Sequence, residues 1–487
     1  MLAQAPRITA KLPLLTLVLA LSLSGCSGQA DDPPTGEAGH DPDWSVVFDA
    51  YTYAFPLVIM DATRATSINT VEPDAARAPI NQISHSDQLA DASFKTVVTP
   101  NVDTVYSKAW LDLSETALVF HKPEADRFLS IEILDAYTNS AAILGTGGDT
   151  QAARTSALVG PGWEGALPDE LTRVDLPTDS VFMVVRTLVE GELDLVSVRA
   201  LQDQMWLMPL AAFESGSDTF QPPTGTHSAD KDFIPVEHVL ALAPQEFFDR
   251  ANTLMALYPP PDDDEAALAA MQGIGVGPGL TFDAGVLGSD VQDRWEAMLN
   301  DAPTSWMQQS QQYKQQWGAW EFFGAPIAEF GTSYAFRALV AFDGLGANPV
   351  SVAIYPTAPT DDSGEILNGT NNYVIHFAPD QLPPVEQYGF WSVTAYGEDD
   401  FLIDNELGRY SINDRSEYVL GTDGSLDILV QAEAPSDETL VDNWLPVKPE
   451  QFHLYLRFYL PTQAALDGSW QAPSITVQGP SNAASPG

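Results

Sequence analysis

The sequence predicts an α+β, β-rich fold in which a helical connector joins two antiparallel β-sandwich or jelly-roll-like domains. Residues 94–190 and 350–477 contain short runs of alternating apolar and polar residues, separated by turn sequences such as "GTGGD". Residues 235–345 lack that alternation and include helix-favouring segments such as "EAALAAMQ". At 487 residues the chain is also too long for one ordinary core, which favours at least two domains.

The first 40 residues have the pattern of an export signal followed by a linker. Arg7 and Lys11 precede an apolar run, Leu12–Leu23, that is too short for a membrane span and typical of a secretory signal. The run ends in "LSGC", which resembles the lipobox of bacterial lipoproteins, so we expect lipidation at Cys26. The alternative is an ordinary secretory signal in which the cysteine is incidental.

The export signal predicts the cellular location of the protein, and changes in composition along the chain predict the order of its domains. Ser27 resembles the residue that sorts lipoproteins to the outer membrane, so we expect an exported, lipid-anchored protein on its periplasmic side. Cys26 is the one cysteine, which excludes an internal disulfide. The expected order is a signal peptide over 1–25, a flexible tether over 26–40, an N-terminal domain over 41–234, the connector over 235–345, a C-terminal domain over 346–475 and a disordered tail over 476–487.

Charge limits the partners of the protein. The chain has 67 acidic and 21 basic residues, and residues 1–25 contain two of the basic ones and no acid, so the remainder carries 19 minus 67, or −48. Such a surface repels nucleic acid and anionic lipid, which leaves the anchor at Cys26 as the only expected membrane contact. The excess of Asp over Lys favours a halophilic protein, with an acidic secreted protein as the alternative. A homo-oligomer is compatible with these data.

Two helices outside the connector are predicted from apolar periodicity. Trp44, Phe48, Tyr51 and Phe55 recur at helical spacing, and Pro56 is expected to end or kink that helix. A second helix is expected over Ser197–Leu210.

Two predicted strands present a face that mixes aromatic and charged residues. In "TVYSKAWLDLS" one face is mostly apolar and the other carries Tyr106, Lys108 and Trp110; in "FHLYLRFYLP" Arg457 lies between tyrosines on one face. Such a face is either a solvated surface or the wall of a site. The run "SVFMVVRTLV" is apolar on both faces and predicts a central, buried strand.

Absent motifs exclude several kinds of chemistry at the level of sequence. The chain has no Gly-x-Ser-x-Gly elbow, no His-Glu-x-x-His pair and no phosphate-binding Gly-Lys loop. None of its seven histidines is paired at metal-binding spacing, and the acidic "YGEDDFLIDNE" lacks the spacing of a Ca²⁺ loop. We therefore expect no metal and no cofactor, although a site assembled from distant residues stays open.

Long motifs resemble a known pair of bacterial domains. "TPNVDTVYSKAWLDLS" and "LDAYTNSAAILGT" resemble domain of unknown function 1254, and "YPTAPTDDSGEILNG", "DNELGRYSI" and "LRFYLP" resemble domain of unknown function 1214. The resemblance implies two β-rich domains linked by helices, often exported, with a cavity between them and no established reaction. One departure is Tyr137, where relatives often carry Trp.

The resemblance and the residue chemistry together nominate site residues. The candidate catalytic residues are Asp103, Asp135 and Tyr106, with either carboxylate as a general base. Arg409 or Arg457 would hold a carboxylate or a developing anion. The full set of candidate ligand-binding residues is Asn101, Asn139, Trp391, Asn405, Arg409, Tyr410, Asn443, Trp444 and Arg457. For each of these residues an ordinary structural role, such as closing a turn or pairing across strands, is the alternative.

Three functions are compatible with these residues. The first is a metal-independent hydrolase that acts on a small organic molecule in an interdomain cavity. The second is a ligand-binding lipoprotein without chemistry, and the third is a structural or assembly protein of the envelope. The sequence names neither the reaction nor the substrate.

The acidic composition predicts that the protein is more stable at high salt. Counter-ions screen the self-repulsion of a chain with 67 acidic and 21 basic residues, so its melting temperature should rise from low to molar KCl. Differential scanning calorimetry across that range measures the effect. A melting temperature that does not change with KCl would contradict the halophilic interpretation.

Overall fold

The computed structural model of the chain describes residues 43–95, 98–216 and 220–480. Within these ranges helices and strands both contribute substantially, and the sheets are mostly antiparallel. The predicted α+β, β-rich class is confirmed. The predicted signal peptide, the tether with Cys26 and the last residues of the predicted tail lie outside the described residues.

The N-terminal domain has two sheets that enclose an apolar core. Its strands are β1 (Ser84–His85), β2 (Thr104–Asp112), β3 (Leu118–Lys122), β4 (Leu129–Leu134), β5 (Ser140–Gly145), β6 (Arg154–Val159), β7 (Thr172–Asp175), β8 (Ser180–Leu188) and β9 (Trp206–Pro209). The large sheet has the order β1-β2-β8-β4-β5, and the small sheet has the order β7-β6-β3-β9. Leu111, Ile131 and Val185 of the large sheet share a buried cluster with Phe120 and Leu158 of the small sheet. Strand β8 is central and buried throughout, as predicted.

Three helices flank these strands in sequence, and one of them corrects an expectation. They are α1 (Trp44–Ser67), α2 (Leu195–Gln202) and α3 (Leu210–Glu214). The helix predicted over Ser197–Leu210 is wrong in its second half, because Trp206–Pro209 forms β9. This segment pairs with β3, from His121↔Trp206 to Leu118↔Pro209, and completes the edge of the small sheet. Long-range strand pairing therefore outweighs the local helical preference.

The connector forms a helical layer that also takes in α1. Its helices are α4 (Pro235–Leu240), α5 (Pro244–Leu257), α6 (Glu265–Gln272), α7 (Val291–Ser310) and α8 (Tyr334–Asp343). Helix α1 contacts each of these five helices. Trp306 of α7 stacks on Tyr51 at 5.9 Å between ring centroids and donates its indole N–H to Thr52 Oγ1 at 2.8 Å. Helix α1 is therefore the centre of this layer.

Pro56 does not end α1, which continues to Ser67. A proline inside a helix removes one backbone hydrogen bond and costs about 3 kcal/mol in isolation. Every residue from Ala50 to Met60 is buried, so packing on all sides offsets that cost. The helix begins at Trp44, and the Asp43 carboxylate caps it by accepting a hydrogen bond from the Ser45 backbone N–H at 3.0 Å.

The C-terminal domain also consists of two sheets around one core. Its strands, with two from the connector, are β10 (Lys314–Trp317), β11 (Trp320–Phe323), β12 (Ala353–Ile354), β13 (Thr357–Ala358), β14 (Asn371–Phe377), β15 (Val385–Gly397), β16 (Ser411–Asn413), β17 (Leu426–Gln431), β18 (Trp444–Pro446), β19 (Phe452–Pro461) and β20 (Ser474–Pro480). A short helix, α9 (Gln463–Leu466), lies between β19 and β20. The large sheet runs β10-β11-β13-β19-β15-β16, with β12 also paired to β19, and the small sheet runs β18-β17-β14-β20. Phe452, Leu454 and Leu456 face this core.

The mixed faces of β2 and β19 are covered rather than solvated. On β2, Trp110 is 4% exposed and Tyr106 is half-buried, and both pack in a cluster with Met60 of α1. On β19, Arg457 is 4% exposed and Tyr459 is 1% exposed. These two faces supply Tyr106, Tyr455, Arg457 and Tyr459 to the polar group described below.

Candidate functional site

The segment ahead of β2 joins the two domains. Asn101 closes an Asx turn as predicted, because its Oδ1 accepts the Asp103 backbone N–H at 2.7 Å. Its Nδ2 donates to the Tyr459 hydroxyl of β19 at 2.5 Å. The Tyr396 hydroxyl of β15 donates to the Pro100 carbonyl at 2.7 Å. A turn of the N-terminal domain is thus bonded to the large sheet of the C-terminal domain.

Asp103 is buried between the domains with both carboxylate oxygens bonded. Oδ2 accepts the Ser392 hydroxyl at 2.6 Å, and Oδ1 accepts Arg415 Nη2 at 2.6 Å. Asp103 is 1% exposed and Ser392 is fully buried. Each oxygen of Asp103 therefore bonds to a different residue of the C-terminal domain.

Arg457 of β19 lies beside this pair. Its Nη2 donates to the Thr99 carbonyl at 3.0 Å and to the Tyr396 hydroxyl at 2.8 Å. Its guanidinium lies over the rings of Tyr396 and Tyr455, at 5.4 and 4.9 Å from their centroids. Nη1 is buried and has no hydrogen-bond partner among the described residues. Arg457 is therefore a buried cation whose hydrogen bonds go to neutral oxygens.

A second buried ion pair belongs to the N-terminal large sheet. Arg186 donates to Glu132 Oε2 at 2.7 Å and to Asn348 Oδ1 at 2.9 Å. Asn348 Nδ2 in turn donates to the Tyr355 hydroxyl at 2.7 Å. Burial raises the pKa of the Glu132 carboxyl, and the charge of Arg186 opposes this shift.

Aromatic contacts connect this pair to Arg457. The Arg186 guanidinium lies 5.8 Å from the Tyr106 ring centroid, and the rings of Tyr355 and Tyr459 are 6.0 Å apart. Burial raises the pKa of Tyr396 to about 12, so its hydroxyl is a neutral donor at physiological pH. We call the whole group the interdomain cluster, made up of Asn101, Asp103, Tyr106, Glu132, Arg186, Asn348, Tyr355, Ser392, Tyr396, Arg415, Tyr455, Arg457 and Tyr459.

The structure brings four sequence-predicted site residues into this cluster and places the others elsewhere. Asn101, Asp103, Tyr106 and Arg457 belong to it. The remaining candidates fall into a turn after β4 and a group in the C-terminal domain.

Asp135 and Asn139 lie together in the turn between β4 and β5. The Asp135 carboxylate accepts the Tyr137 and Asn139 backbone N–H groups at 2.8 and 2.9 Å, and the Asn139 side chain at 3.0 Å. Burial raises the pKa of this carboxyl. These contacts stabilise the turn. Asp135 and Asn139 therefore have the structural role, closing a turn, that was the alternative to a role in a site.

Most of the C-terminal candidates bond to backbone carbonyls of their own domain. Arg409 Nη1 donates to the carbonyls of Val441 and Trp444, at 2.5 and 3.0 Å. Asn405 Nδ2 donates to the Arg409 carbonyl at 2.9 Å, and Asn443 Nδ2 donates to the Asp427 carbonyl at 2.9 Å. The Trp444 indole donates to the Gln431 carbonyl at 2.9 Å.

The last two C-terminal candidates are also placed by backbone or core contacts. The Tyr410 carbonyl accepts the Ala395 backbone N–H at 3.4 Å, next to β15. Trp391 is 3% exposed and packs in the core against Phe377, 5.6 Å away between ring centroids. Ligand binding by these residues stays a prediction.

Sequence reasoning missed Glu132, Arg186, Ser392 and Arg415. A signal was present for the first two, since each is a single charged residue inside an otherwise apolar strand. A charge in such a strand must be paired when it is buried. Ser392 and Arg415 carried no comparable local signal.

Two surface cavities lie apart from the interdomain cluster. One of about 670 Å³ is lined by residues of the N-terminal domain that include His85, Trp206 and Phe213, and one of about 660 Å³ is lined by residues around α6 that include Leu268 and Val276. In the described ranges, no group of three or more His, Cys, Asp or Glu side chains is placed to hold a metal ion. Nor does any helix within those ranges have the length and apolar character needed to cross a membrane.

The fold and the cluster define a protein of two β-sandwich domains, bridged by a helical layer, that share one buried polar junction. The family model "Protein of unknown function (DUF1254)" matches residues 80–209, and "Protein of unknown function (DUF1214)" matches residues 352–463. The chain therefore contains a DUF1254 segment followed by a DUF1214 segment, which confirms the resemblance. Asp103 and Arg186 come from the first match, and Ser392 and Arg457 come from the second.

A solved structure supports the same fold. The chain is similar to the crystal structure of the VPA0106 protein from Vibrio parahaemolyticus, with 21% sequence identity and a TM-score of 0.63, over 89% of this chain and 99% of that chain. A structure of an uncharacterized protein from Burkholderia cenocepacia matches with 14% identity and a TM-score of 0.41, over 91% and 92% of the two chains. None of the curated proteins matches the chain.

His453 adds a pH-sensitive group at the edge of the cluster. Burial, aided by the charge of Arg457, lowers the pKa of His453 to about 4, and Asp399 opposes the shift. Its Nε2 also lies 3.4 Å from Asp400 Oδ1, and Tyr396 stacks on its ring at 5.8 Å. Burial outweighs these acidic neighbours, so the folded protein holds His453 neutral at pH values where the unfolded chain protonates it.

This shift predicts acid sensitivity that depends on one side chain. The folded-state pKa lies below the unfolded value, so stability is full above about pH 6.5 and is lost as pH falls toward 4. Between pH 7 and pH 5 the loss from this group is about 2 kcal/mol. His453→Gln should lose that much less stability over the same interval, measured by urea unfolding. His376→Gln, at an exposed histidine, is the control, and a His453→Gln profile parallel to wild type would contradict the assignment.

Proposed function

We propose that the protein binds a small anionic organic molecule between its two domains, with Arg457 as the anchor. The observation that carries the proposal is a buried guanidinium, 4% exposed, whose Nη1 has no partner among the described residues. Charged donors of this kind are costly to leave unbonded, and a carboxylate or phosphate oxygen is the acceptor that matches them best.

The surroundings of Arg457 support an anion in preference to a cation. Arg415 and Arg186 each have a carboxylate partner, at 2.6 and 2.7 Å. Arg457 donates to a carbonyl and a phenol instead, so its charge is not neutralised by direct contact. The 67 acidic residues of the chain repel anions in general, whereas the positive charge of Arg457 attracts an anion to this one site.

The same surroundings limit the size and character of the ligand. The rings of Tyr396, Tyr455 and Tyr459 border the guanidinium, and aromatic walls with a few fixed polar groups are typical of small-molecule sites. Because the anchor is nearly inaccessible to solvent, the ligand must be small. These features favour a compact carboxylate with an apolar body.

Hydrolysis is the second candidate, and one contact favours it. The Ser392 hydroxyl donates to Asp103 at 2.6 Å, and Ser392 is paired across the strands with Arg457. A hydroxyl bonded to a carboxylate can be activated as a nucleophile, and a neighbouring guanidinium can stabilise the developing oxyanion. Asp135, the other candidate base, instead holds a turn.

We also propose export and lipid anchoring at Cys26, with the folded domains on the periplasmic side of the outer membrane. The support is the order of Arg7, Lys11, the apolar run Leu12–Leu23 and "LSGC" in the sequence. A lipid-anchored binding protein of this kind would hold its ligand within the envelope.

Ligand binding is tested by native mass spectrometry of the purified chain, with extraction and identification of any small molecule that accompanies it. Affinity for the identified anion should fall about 30-fold or more in Arg457→Met, because a buried charged hydrogen bond is lost. Arg409→Met is the matched control, since Arg409 donates to backbone carbonyls of its own domain. Equal affinity in wild type and Arg457→Met, with both folded, would overturn the proposal.

Turnover of the same ligand separates an enzyme from a binding protein. If Ser392 is the nucleophile, Ser392→Ala should slow hydrolysis about 100-fold or more while the ligand still binds. Thr394→Ala, on the same face of β15, is the control. Product formation at equal rates in wild type and Ser392→Ala would remove Ser392 from the mechanism.

A further inference from the structure

Arg337 is a second buried cation, in the helical layer and outside the interdomain cluster. It lies on α8 and is 1% exposed. Of the five N–H donors of a guanidinium, one at Nη2 bonds to the Gly331 carbonyl. Nε and Nη1 are buried and have no hydrogen-bond partner among the described residues. Two unpaired charged donors in one buried side chain are rare in a native fold.

The groups around Arg337 are already bonded to one another. Asp264, 1% exposed, accepts the hydroxyls of Tyr53 and Tyr334, each at 2.8 Å. The Tyr137 hydroxyl donates to the Tyr258 carbonyl at 2.8 Å. Asp264 therefore has both oxygens in use, and neither oxygen bonds to the guanidinium in the described contacts.

Three segments other than α8 bring these groups to Arg337. Tyr53 comes from α1, Tyr137 from the turn after β4, and Asp264 from the start of α6. The Arg337 guanidinium lies 5.5 Å from the Tyr334 ring centroid. It is also close enough to Asp135 for its charge to oppose the effect of burial on the pKa of that carboxyl. The result is a buried polar region in which Arg337 keeps free donors and lies against the Tyr334 ring.

The unpaired donors define the chemistry of what would fit. A planar carboxylate accepts two parallel N–H bonds from a guanidinium, and tyrosine rings suit an apolar body. A cation is excluded by the charge of Arg337, and a dianion such as phosphate is disfavoured by the buried carboxyls of Asp264 and Asp135. A small monocarboxylate satisfies the free donors at the lowest electrostatic cost.

We propose that Arg337 anchors a second small-molecule site, for a monocarboxylate, where the helical layer meets the N-terminal domain. The site shares no residue with the interdomain cluster, so it stands whether or not Arg457 binds a ligand.

The test uses the full chain carrying Arg457→Met, which removes the other proposed anchor. Isothermal titration with acetate, butyrate and benzoate at constant ionic strength should give saturable binding of one equivalent, while inorganic phosphate should give none. Arg337→Gln in the same background should weaken binding about 30-fold or more. Arg337→Lys should bind with intermediate affinity, because lysine keeps the positive charge but cannot donate two parallel N–H bonds to a carboxylate. Unchanged affinity in a folded Arg337→Gln protein would overturn the proposal.

A measurement that leaves Arg337 unchanged covers the case in which Arg337→Gln does not fold. Crystals of the Arg457→Met chain grown with the tightest-binding monocarboxylate should show its density within hydrogen-bond distance of Nε or Nη1 of Arg337. Ordered water alone at these atoms, with the carboxylate at saturating concentration, would show that solvent satisfies the guanidinium and would refute the proposal.

Discussion

The buried carboxylate of Asp103 is the contact on which the junction between the domains depends. Asp103 is 1% exposed and belongs to the N-terminal domain, whereas its partners Ser392 and Arg415 belong to the C-terminal domain. Removing one partner of a buried ion pair typically costs about 3–5 kcal/mol, because the other charge is left unpaired. The two domains therefore cannot shift relative to one another at this point without breaking a costly contact. Strand β2 begins at Thr104, directly after this contact.

The scarcity of basic residues makes the buried arginines informative. The chain has 21 basic and 67 acidic residues, so exposed acids outnumber cations over most of the surface. Arg186, Arg337 and Arg457 are nonetheless buried. Arg186 forms an ion pair with Glu132 at 2.7 Å, and this pair explains how its charge is tolerated in the core. Arg337 and Arg457 retain unpaired donors, and this difference separates a structural arginine from a candidate binding residue.

Helix α1 links the core of the protein to these polar sites. Its aromatic stripe packs against Trp295 and Trp306 of α7, with ring contacts of 5.4 and 5.9 Å from Tyr51. Met60 of the same helix covers the face of β2 that carries Tyr106, and Tyr53 bonds to Asp264 beside Arg337. One helix therefore supplies hydrophobic stability and closes two buried polar regions to solvent. This explains why residues 50–60 are buried on every side of the helix.

The sequence by itself determined the fold class, the central position of β8 and the Asx turn at Asn101, because each depends on residues close together in the chain. Side-chain alternation and turn chemistry act over a few residues and can be recognised without knowing the rest of the structure. The tertiary structure decided which charged residues meet. Arg409 and Arg457 look alike in sequence, yet Arg409 donates to backbone carbonyls of its own domain, whereas Arg457 is buried with a free donor. The partner of Asp103 is 312 residues away at Arg415, and only the packing of two domains brings such groups together.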